Sequence, residues 1–301
     1  MSSASGAVVP VLEPYRLDLT VAALRRLSSN VVDRVTPDGR YVRALEGTDG
    51  PTILSVAQKS PGRLSVALSG APGGDERAVA LVRRMLGTDR DVRAFQTSAA
   101  KVPWLRALAR RMRGLKPPRY PTLWEACANA IVFQQISLSA AGSIMRRLVL
   151  ELGTRATFED LELYTFPGVA SFLAGSDETL RGFGLSTGKR EALRRVGEAL
   201  SDGSLDEATL AARSSPEASE LLCRIKGIGP WTATVILLRG LGRLDVFPMK
   251  DSGIARTAKA FGDPVDVDVD AALETLGEER GMLYYLMLLS HWEARGEIAA
   301  G

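Results

Sequence analysis

Between Leu221 and Asp251 the chain reads LLCRIKGIGPWTATVILLRGLGRLDVFPMKD, and the glycines and proline in its middle leave the backbone few options. Leu221 and Ile225 stand at helical spacing. Gly227-Ile228-Gly229 then breaks the helix, because glycine tolerates the dihedrals that a reversal needs. Pro230 falls where a second helix would place its first residue, a position at which no backbone hydrogen bond is lost. Trp231 to Arg239 continues as an apolar helix with Thr232 and Thr234 in its first turn, and Gly240 and Gly242 are expected to end it. The loop that follows closes on a carboxylate, Asp251. A glycine-rich helix start offers N–H groups with partial positive charge, which favours a phosphate. The missing side chains of Gly227 and Gly229 would let a phosphodiester approach closely, in a contact that reads no base. A hairpin that merely packs is the plain alternative.

The longer pattern is more specific. IKGIGPWTA followed by DVFPMKD resembles the helix-hairpin-helix DNA glycosylases, and among them the 3-methyladenine DNA glycosylase II branch, which removes alkylated bases. The resemblance implies a base-excision-repair enzyme that binds duplex DNA as a monomer, flips out a damaged base and hydrolyses its glycosidic bond. It further implies an α+β chain: a small antiparallel sheet domain with helices, like the TATA-binding protein, over 1–87, then an all-α glycosylase domain over 88–301 with its hairpin at about 217–240.

Composition agrees with a folded, non-membrane chain. Of 301 residues 46% are hydrophobic and 24% charged, an ordinary globular balance with length for two domains. A net charge of +3 permits nucleic-acid binding only through a local basic patch. Cys127 and Cys223 are the only cysteines, so two buried thiols are expected, and an iron–sulfur cluster, which needs about four, is not. His291, the only histidine, argues against a metal site. The start MSSASGAVVPVLEP lacks a basic, apolar leader, and Gly281–Trp292 is too short an apolar run to span a bilayer, so a cytoplasmic, nucleoid-associated location is expected.

Near the N-terminus, Tyr15, Leu17, Leu19 and Val21 alternate with Arg16, Asp18 and Thr20, the period of a half-buried strand. Val31–Val35 and Tyr41–Leu45 flank one hairpin turn, Thr36–Arg40, and Ile53–Ala57 and Leu64–Leu68 flank another, Ser60–Arg63. Asp75–Leu86 follows as an amphipathic helix closed by Gly87, and after it the strands are expected to stop. Val102–Gly114 reads as a helix whose Arg106, Arg110, Arg111 and Arg113 suit either a solvated face or DNA contact. Lys116–Pro121 is an extended connector. Thr122 then caps a helix with Glu125 as its capping-box partner. Gln134-Gln135-Ile136-Ser137 interrupts it before Leu138–Leu152 resumes. Two adjacent amides could simply satisfy buried backbone groups. The resemblance implies instead that this segment lies in the minor groove, with Gln135 filling the gap left by the extruded nucleotide. Phe183–Arg190 opens another helix capped at Ser186 or Thr187 and resembles the family's GLSxxK segment, in which Ser186 and Lys189 would face DNA. Lys189 and Arg190 read equally well as surface charges.

Asp251 reads as a helix cap for 251–261, and the chemical reading is compatible with that. A carboxylate about 4 Å from the sugar cation left by a departing base contributes on the order of 4 kcal/mol at an effective dielectric near 20. It can also orient or deprotonate a water. The resemblance carries this catalytic role to Asp251. It implies a pocket formed by Trp231, Val235 and Ser252, the last two standing where relatives have tyrosines. Trp231 could stack on a cationic alkylated purine. It occupies the place of the Schiff-base lysine of bifunctional relatives, which implies hydrolysis without strand cleavage. DNA contacts are carried to Gln134, Gln135, Gly227, Ile228, Gly229, Thr232, Ser186 and Lys189. No cofactor is implied beyond a monovalent cation on the carbonyls of Cys223, Ile225 and Ile228. Two alternatives stay open: a glycosylase/lyase using Lys250, and a non-catalytic DNA-binding module. Asp245 also flanks the loop. Tyr284, Tyr285 and Trp292 of the C-terminal apolar helix read mainly as core.

Overall fold

A computed structural model of the chain describes residues 6–69, 74–249, 251, 257, 267–296 and 298. Its N-terminal part is a 5-stranded antiparallel sheet of β1 (Ala7–Pro10), β2 (Asp33–Val35), β3 (Tyr41–Leu45), β4 (Thr52–Ser60) and β5 (Arg63–Ser69), ordered β1-β5-β4-β3-β2. The two expected hairpins join β2 to β3 and β4 to β5. Strand β1 has 4 residues, too few to show an alternation, and it pairs with β5 at the sheet's edge.

Tyr15–Val21, expected as a strand, is instead the approach to and first half of helix α1 (Leu17–Arg25). The alternation has a physical cause. Leu17, Val21 and Leu24 pack into the core of the sheet, while Leu19 and Ala23 pack into a second core formed by C-terminal helices. A helix buried on two sides has apolar residues at both spacings, and in a short window that imitates a strand. Helix α2 (Gly74–Leu86) joins α1 on the same face of the sheet through Ala78, Val82 and Met85, and Gly87 closes it at φ +55.

The strands do not stop at residue 87. A hairpin of β6 (Arg155–Phe158) and β7 (Leu161–Tyr164) lies within the otherwise helical part, so that part is not all-α. Ala156 and Leu163 pack with Val42, Ala44 and Ile53, covering the sheet face that α1 and α2 leave open. With only 4 residues in each strand, the hairpin's signal sits below that of the long helix before it.

The remaining chain runs through α3 (Arg93–Ala99), α4 (Pro103–Arg111), α5 (Leu123–Val132), α6 (Leu138–Leu152), α7 (Val169–Ala174), α8 (Asp177–Gly182), α9 (Thr187–Ser201), α10 (Glu207–Ala211), α11 (Ser215–Cys223), α12 (Pro230–Ile236), α13 (Val269–Leu276) and α14 (Gly281–Ala294). No helix among the described residues is long and apolar enough to cross a membrane. The expected connector, 116–121, carries no helix or strand, and it is largely buried: Lys116 is 1% exposed and donates to the Arg90 carbonyl at 2.7 Å. Helix α14 is apolar on all sides and buried throughout most of its length, so Tyr284, Tyr285 and Trp292 are core residues.

Helix α5 is the central strut, buried from end to end. Thr122 caps it, accepting from the Glu125 N–H at 3.1 Å. Glu125 does not complete a capping box. Its carboxylate turns to Arg43 of β3, which also donates to Asp33 at 2.7 Å, and Tyr41 donates to that same Asp33 at 2.7 Å. A buried guanidinium between two carboxylates outcompetes a cap. Helix α12 does not end at Gly240 either. It widens into a π turn over Leu237–Leu241 and ends at Gly242, φ +74. A Cβ on Gly240 would lie 2.8 Å from that of Ala126, so the glycine lets the turn close onto α5. Among the described groups the Cys127 thiol, sealed in this core, is pushed up to about 12 by burial, while Cys223 is only half-buried.

Replacing Arg43 by alanine strands two buried carboxylates. Urea unfolding of Arg43→Ala should show a loss of about 3–5 kcal/mol, whereas breaking the exposed Arg93–Asp91 pair with Arg93→Ala should leave the midpoint unchanged.

Candidate active site

The hairpin forms as its residues require. Ser214 and Glu217 make a reciprocal capping box at the start of α11. The Ile228 N–H donates to the Ile225 carbonyl at 3.0 Å across the reversal. Gly227 takes φ +102, and a Cβ there would sit 2.5 Å from that of Ala192 on α9, so only glycine lets the hairpin rest on α9. Around a Cβ on Gly229 there is nothing within 4 Å, which marks the open side of the turn. Ile228 is 4% exposed and anchors the hairpin in the core. Its contribution to any outer surface is therefore its backbone.

The QQIS segment divides its work. Gln134 points inward, donating to the Gly227 carbonyl at 2.9 Å and to Thr232 Oγ1 at 2.7 Å. Thr232 is itself 2% exposed. These two expected DNA contacts instead tie the end of α5 to the hairpin. Gln135 points outward from a backbone at φ +54, beside Ile136, which is 39% exposed. Ser186 caps α9 as expected and is exposed. Lys189 is not a surface charge. Its ammonium donates to the carbonyls of Val132 at 2.7 Å and Gln134 at 2.9 Å, capping the C-terminal end of α5, and burial lowers its pKa. Arg190 is buried too, bonded to Asp177 and to the Leu185 carbonyl. The exposed Lys-Arg reading of this segment fails because both side chains are long enough to reach backbone carbonyls left free by neighbouring turns.

At the other end of the hairpin the structure brings together two expected residues. The Trp231 indole N–H donates to Asp251 Oδ2 at 3.1 Å, and both residues are half-buried. The donor satisfies one lone pair of the carboxylate and fixes its orientation, leaving it able to stabilise a developing cation or to accept a proton from water. Val235 is 2% exposed and belongs to the core beneath, so it adds no surface to a pocket. Ser252 and Lys250, and the helix expected over 251–261 apart from Asp251 and Thr257, lie outside the described residues. Asp245 is half-buried in the intervening loop, and Met249 is 52% exposed. Among the described residues no group of three or more His, Cys, Asp or Glu is placed to hold a metal ion.

Two arginines went unnoticed in the sequence. Arg239, 0% exposed, donates to the carbonyls of Ala23 and Leu24 at 3.0 Å each and stacks on Tyr120, with 4.8 Å from guanidinium carbon to ring centre. Arg26, 7% exposed, donates to Tyr284 Oη at 2.6 Å and lies 4.7 Å over the ring of Phe133. With Tyr15–Val21 read as a strand, neither the buried C-terminal carbonyls of α1 nor Arg26 had a place to be assigned.

No family model matches the chain. It is 32% identical over 258 residues to the "Probable bifunctional transcriptional activator/DNA repair enzyme AlkA" of Mycobacterium tuberculosis, covering 85% of this chain and 51% of that protein. It is 27% identical over 184 residues to a "DNA-3-methyladenine glycosylase" of Bacillus subtilis, covering 61% of each. The chain thus spans between about half and three fifths of the length of these curated relatives. A solved 3-methyladenine DNA-glycosylase from Archaeoglobus fulgidus superposes with a TM-score of 0.79 at 24% identity, over 95% of this chain and 99% of that one, which establishes a shared fold. Sequence and architecture thus agree on one likeness, to the 3-methyladenine DNA glycosylases, whose mixed sheet-and-helix fold the chain shares.

Proposed function

We propose that the chain is a monofunctional DNA glycosylase of base excision repair, which extrudes an alkylated base from duplex DNA and hydrolyses its N-glycosidic bond to leave an abasic site. The observation that carries this reading is the contact of Trp231 with Asp251, directly beyond a Gly-Ile-Gly-Pro hairpin. As the base departs, positive charge develops on the sugar. A carboxylate held about 4 Å away is worth on the order of 4 kcal/mol, roughly a thousandfold in rate. Asp251 supplies that charge and accepts a proton from the attacking water, while the indole fixes its direction and offers a face to the flipped base.

Around this centre the hairpin backbone at Gly227–Gly229 takes a phosphate, Ser186 lies on the same DNA-facing side, and Gln135 with Ile136 enters the space vacated by the nucleotide. Gln134, Thr232 and Lys189 act on the frame rather than on DNA, as their bonds favour. No catalytic cofactor is required. A monovalent cation would be held by the carbonyls of Cys223, Ile225 and Ile228. The Ile225 carbonyl already accepts the Ile228 N–H, and its second lone pair makes the two roles compatible. The remaining parts of the reading are a TATA-binding-protein-like arrangement of the N-terminal sheet and helices, a division near residue 87, a monomer, and a cytoplasmic, nucleoid-associated location.

Base release from methylated duplex DNA should be seen with the wild type and fall about a thousandfold in Asp251→Asn, with no adduct trapped by borohydride. A trapped adduct would move the chemistry to Lys250, and DNA binding without release of any base would leave only a binding module. Trp231→Phe keeps a stacking ring but removes the donor to Asp251. A charge-assisted hydrogen bond is worth about 1.5–3 kcal/mol, so single-turnover release should slow by roughly 10–150-fold while duplex affinity holds. Lys189→Met should lower the thermal midpoint and leave the salt dependence of DNA binding unchanged, since its charge faces carbonyls inside the protein.

A further inference from the structure

From Val92 to Trp124 the chain holds eight basic residues and no acidic one. The whole chain carries only +3, so everything outside this block is net acidic. The fold accounts for half of the eight. Arg93 pairs with Asp91, Arg111 with Glu293 and Arg119 with Glu207, while Lys116 is buried on the Arg90 carbonyl. Lys101, Arg106, Arg110 and Arg113 are exposed. Arg106 donates through Nε to the Ala100 carbonyl at 2.7 Å. Among the described residues no carboxylate is ion-paired with any of the four. Acids at the margin are already engaged, Glu293 by Arg111 and Asp18 by Arg16, whose stem lies beside Gly114.

The arrangement is unfavourable in the free protein. Arg106, Arg110 and Arg113 follow one another at spacings of four and three, along one face of α4 and the turn that continues it. Like charges one turn apart repel. Lys101 precedes the helix, at the positive end of its dipole, where a cation is disfavoured. Of the four, only Arg110 lies within the last turn of α4, where the dipole favours it. The inner face of α4, Trp104, Leu105, Leu108 and Ala109, packs into the second core with α14, whereas Ile228 anchors the hairpin in the first. The basic ridge thus stands on a different core from the hairpin. Its chemistry suits a polyanion. A protein partner needs apolar anchors at the centre of the contact, and no large apolar side chain is exposed between Lys101 and Arg113. Three arginines over about 10 Å of helix face a regular row of charge instead, and a duplex offers one phosphate charge for about every 1.7 Å of its axis.

We propose that Lys101, Arg106, Arg110 and Arg113 form a second DNA surface, which grips the phosphate backbone of an undamaged duplex without reading its sequence while the hairpin holds another, so that one molecule bridges two DNA segments. Its use in a search for lesions rests on the glycosylase reading; the bridging itself requires no catalysis. The first probe is a donor-labelled duplex carrying a tetrahydrofuran abasic analogue, bound at saturation. An acceptor-labelled undamaged duplex is then added, and energy transfer reports bridged complexes. The wild type should bridge, and its affinity for the second duplex should fall roughly 40-fold between about 50 and 200 mM salt, as the loss of three phosphate contacts requires. Arg106→Gln/Arg110→Gln/Arg113→Gln should weaken the second duplex at least about tenfold and leave the first within about twofold. The same three positions changed to lysine, which keeps the charge, should still bridge. The assignment is overturned if the wild type does not bridge, or if the glutamine variant loses both duplexes in equal proportion. It is also overturned if a poly-glutamate peptide displaces the second duplex as well as DNA does, which would make the ridge a seat for an acidic protein. Failure of the wild type to bind the first duplex would sink the hairpin reading. The ridge is then judged on the undamaged duplex alone, whose binding the glutamine variant must still weaken at least about tenfold.

Discussion

A single guanidinium, that of Arg43, holds the two halves of this protein in register. It is 1% exposed and bonded to Asp33 at the start of β2 and to Glu125 in the first turn of α5. Two carboxylates share this one arginine, and burial, which raises the Glu125 pKa, leaves each dependent on the contact. The arrangement is consequently intolerant of a shift. If α5 slid by one turn relative to the sheet, Glu125 would lose its arginine and be left buried and unpaired. Everything at the far end of α5 inherits that fixed position: the carbonyls of Val132 and Gln134 that Lys189 caps, and the Gln134 side chain that holds the hairpin. Through the hairpin it reaches Trp231, and through the indole N–H, Asp251. The placement of the carboxylate is thus the last step of a chain of directional polar contacts running along a rigid, fully buried helix.

The same reasoning accounts for what could be read in advance. The hairpin was legible because its constraints are local. Gly227 must adopt a positive φ, Pro230 must open a helix, and neither depends on what packs nearby. The caps at Thr122 and Ser186 were legible for the same reason. Helix α1 was not, because its pattern of apolar residues is the sum of two burials against two different cores, and no single face repeats with helical period. The hairpin of β6 and β7 was hidden because its burial is supplied by the distant face of the sheet. Gly240 looked like a stop and is a contact surface, a distinction that depends on Ala126 lying opposite it. Of the candidate site, Trp231 and Asp251 were each named from a resemblance, but neither their hydrogen bond nor the inward turn of Gln134 and Lys189 could be read there. Sequence assigns a charge to a helix start; only the fold reveals that a neighbouring helix ends within reach of it.

Charge counting is the clearest casualty. The chain holds 38 basic and 35 acidic residues, which suggested a local patch for any polyanion. Yet many of its arginines spend their donors on backbone carbonyls. Arg147 donates to Phe183, Arg194 to Leu173 and Gly175, Arg119 to Gly240, Arg243 to Ala211 and Arg213, and Arg239 to the end of α1. Helix C-termini carry partial negative charge and unpaired carbonyls, so a guanidinium there satisfies two demands at once. The helical part of this protein is made of short helices, and short helices have many ends in proportion to their length. An arginine-rich composition is then a structural requirement of the architecture before it is a sign of a partner. In the proposed mode much of the binding falls to backbone N–H groups at the glycine hairpin. Those groups are neutral, take a fixed direction, and follow the hairpin wherever α5 and α9 set it. In the proposed mode a protein built this way would hold a duplex by geometry, with little net field.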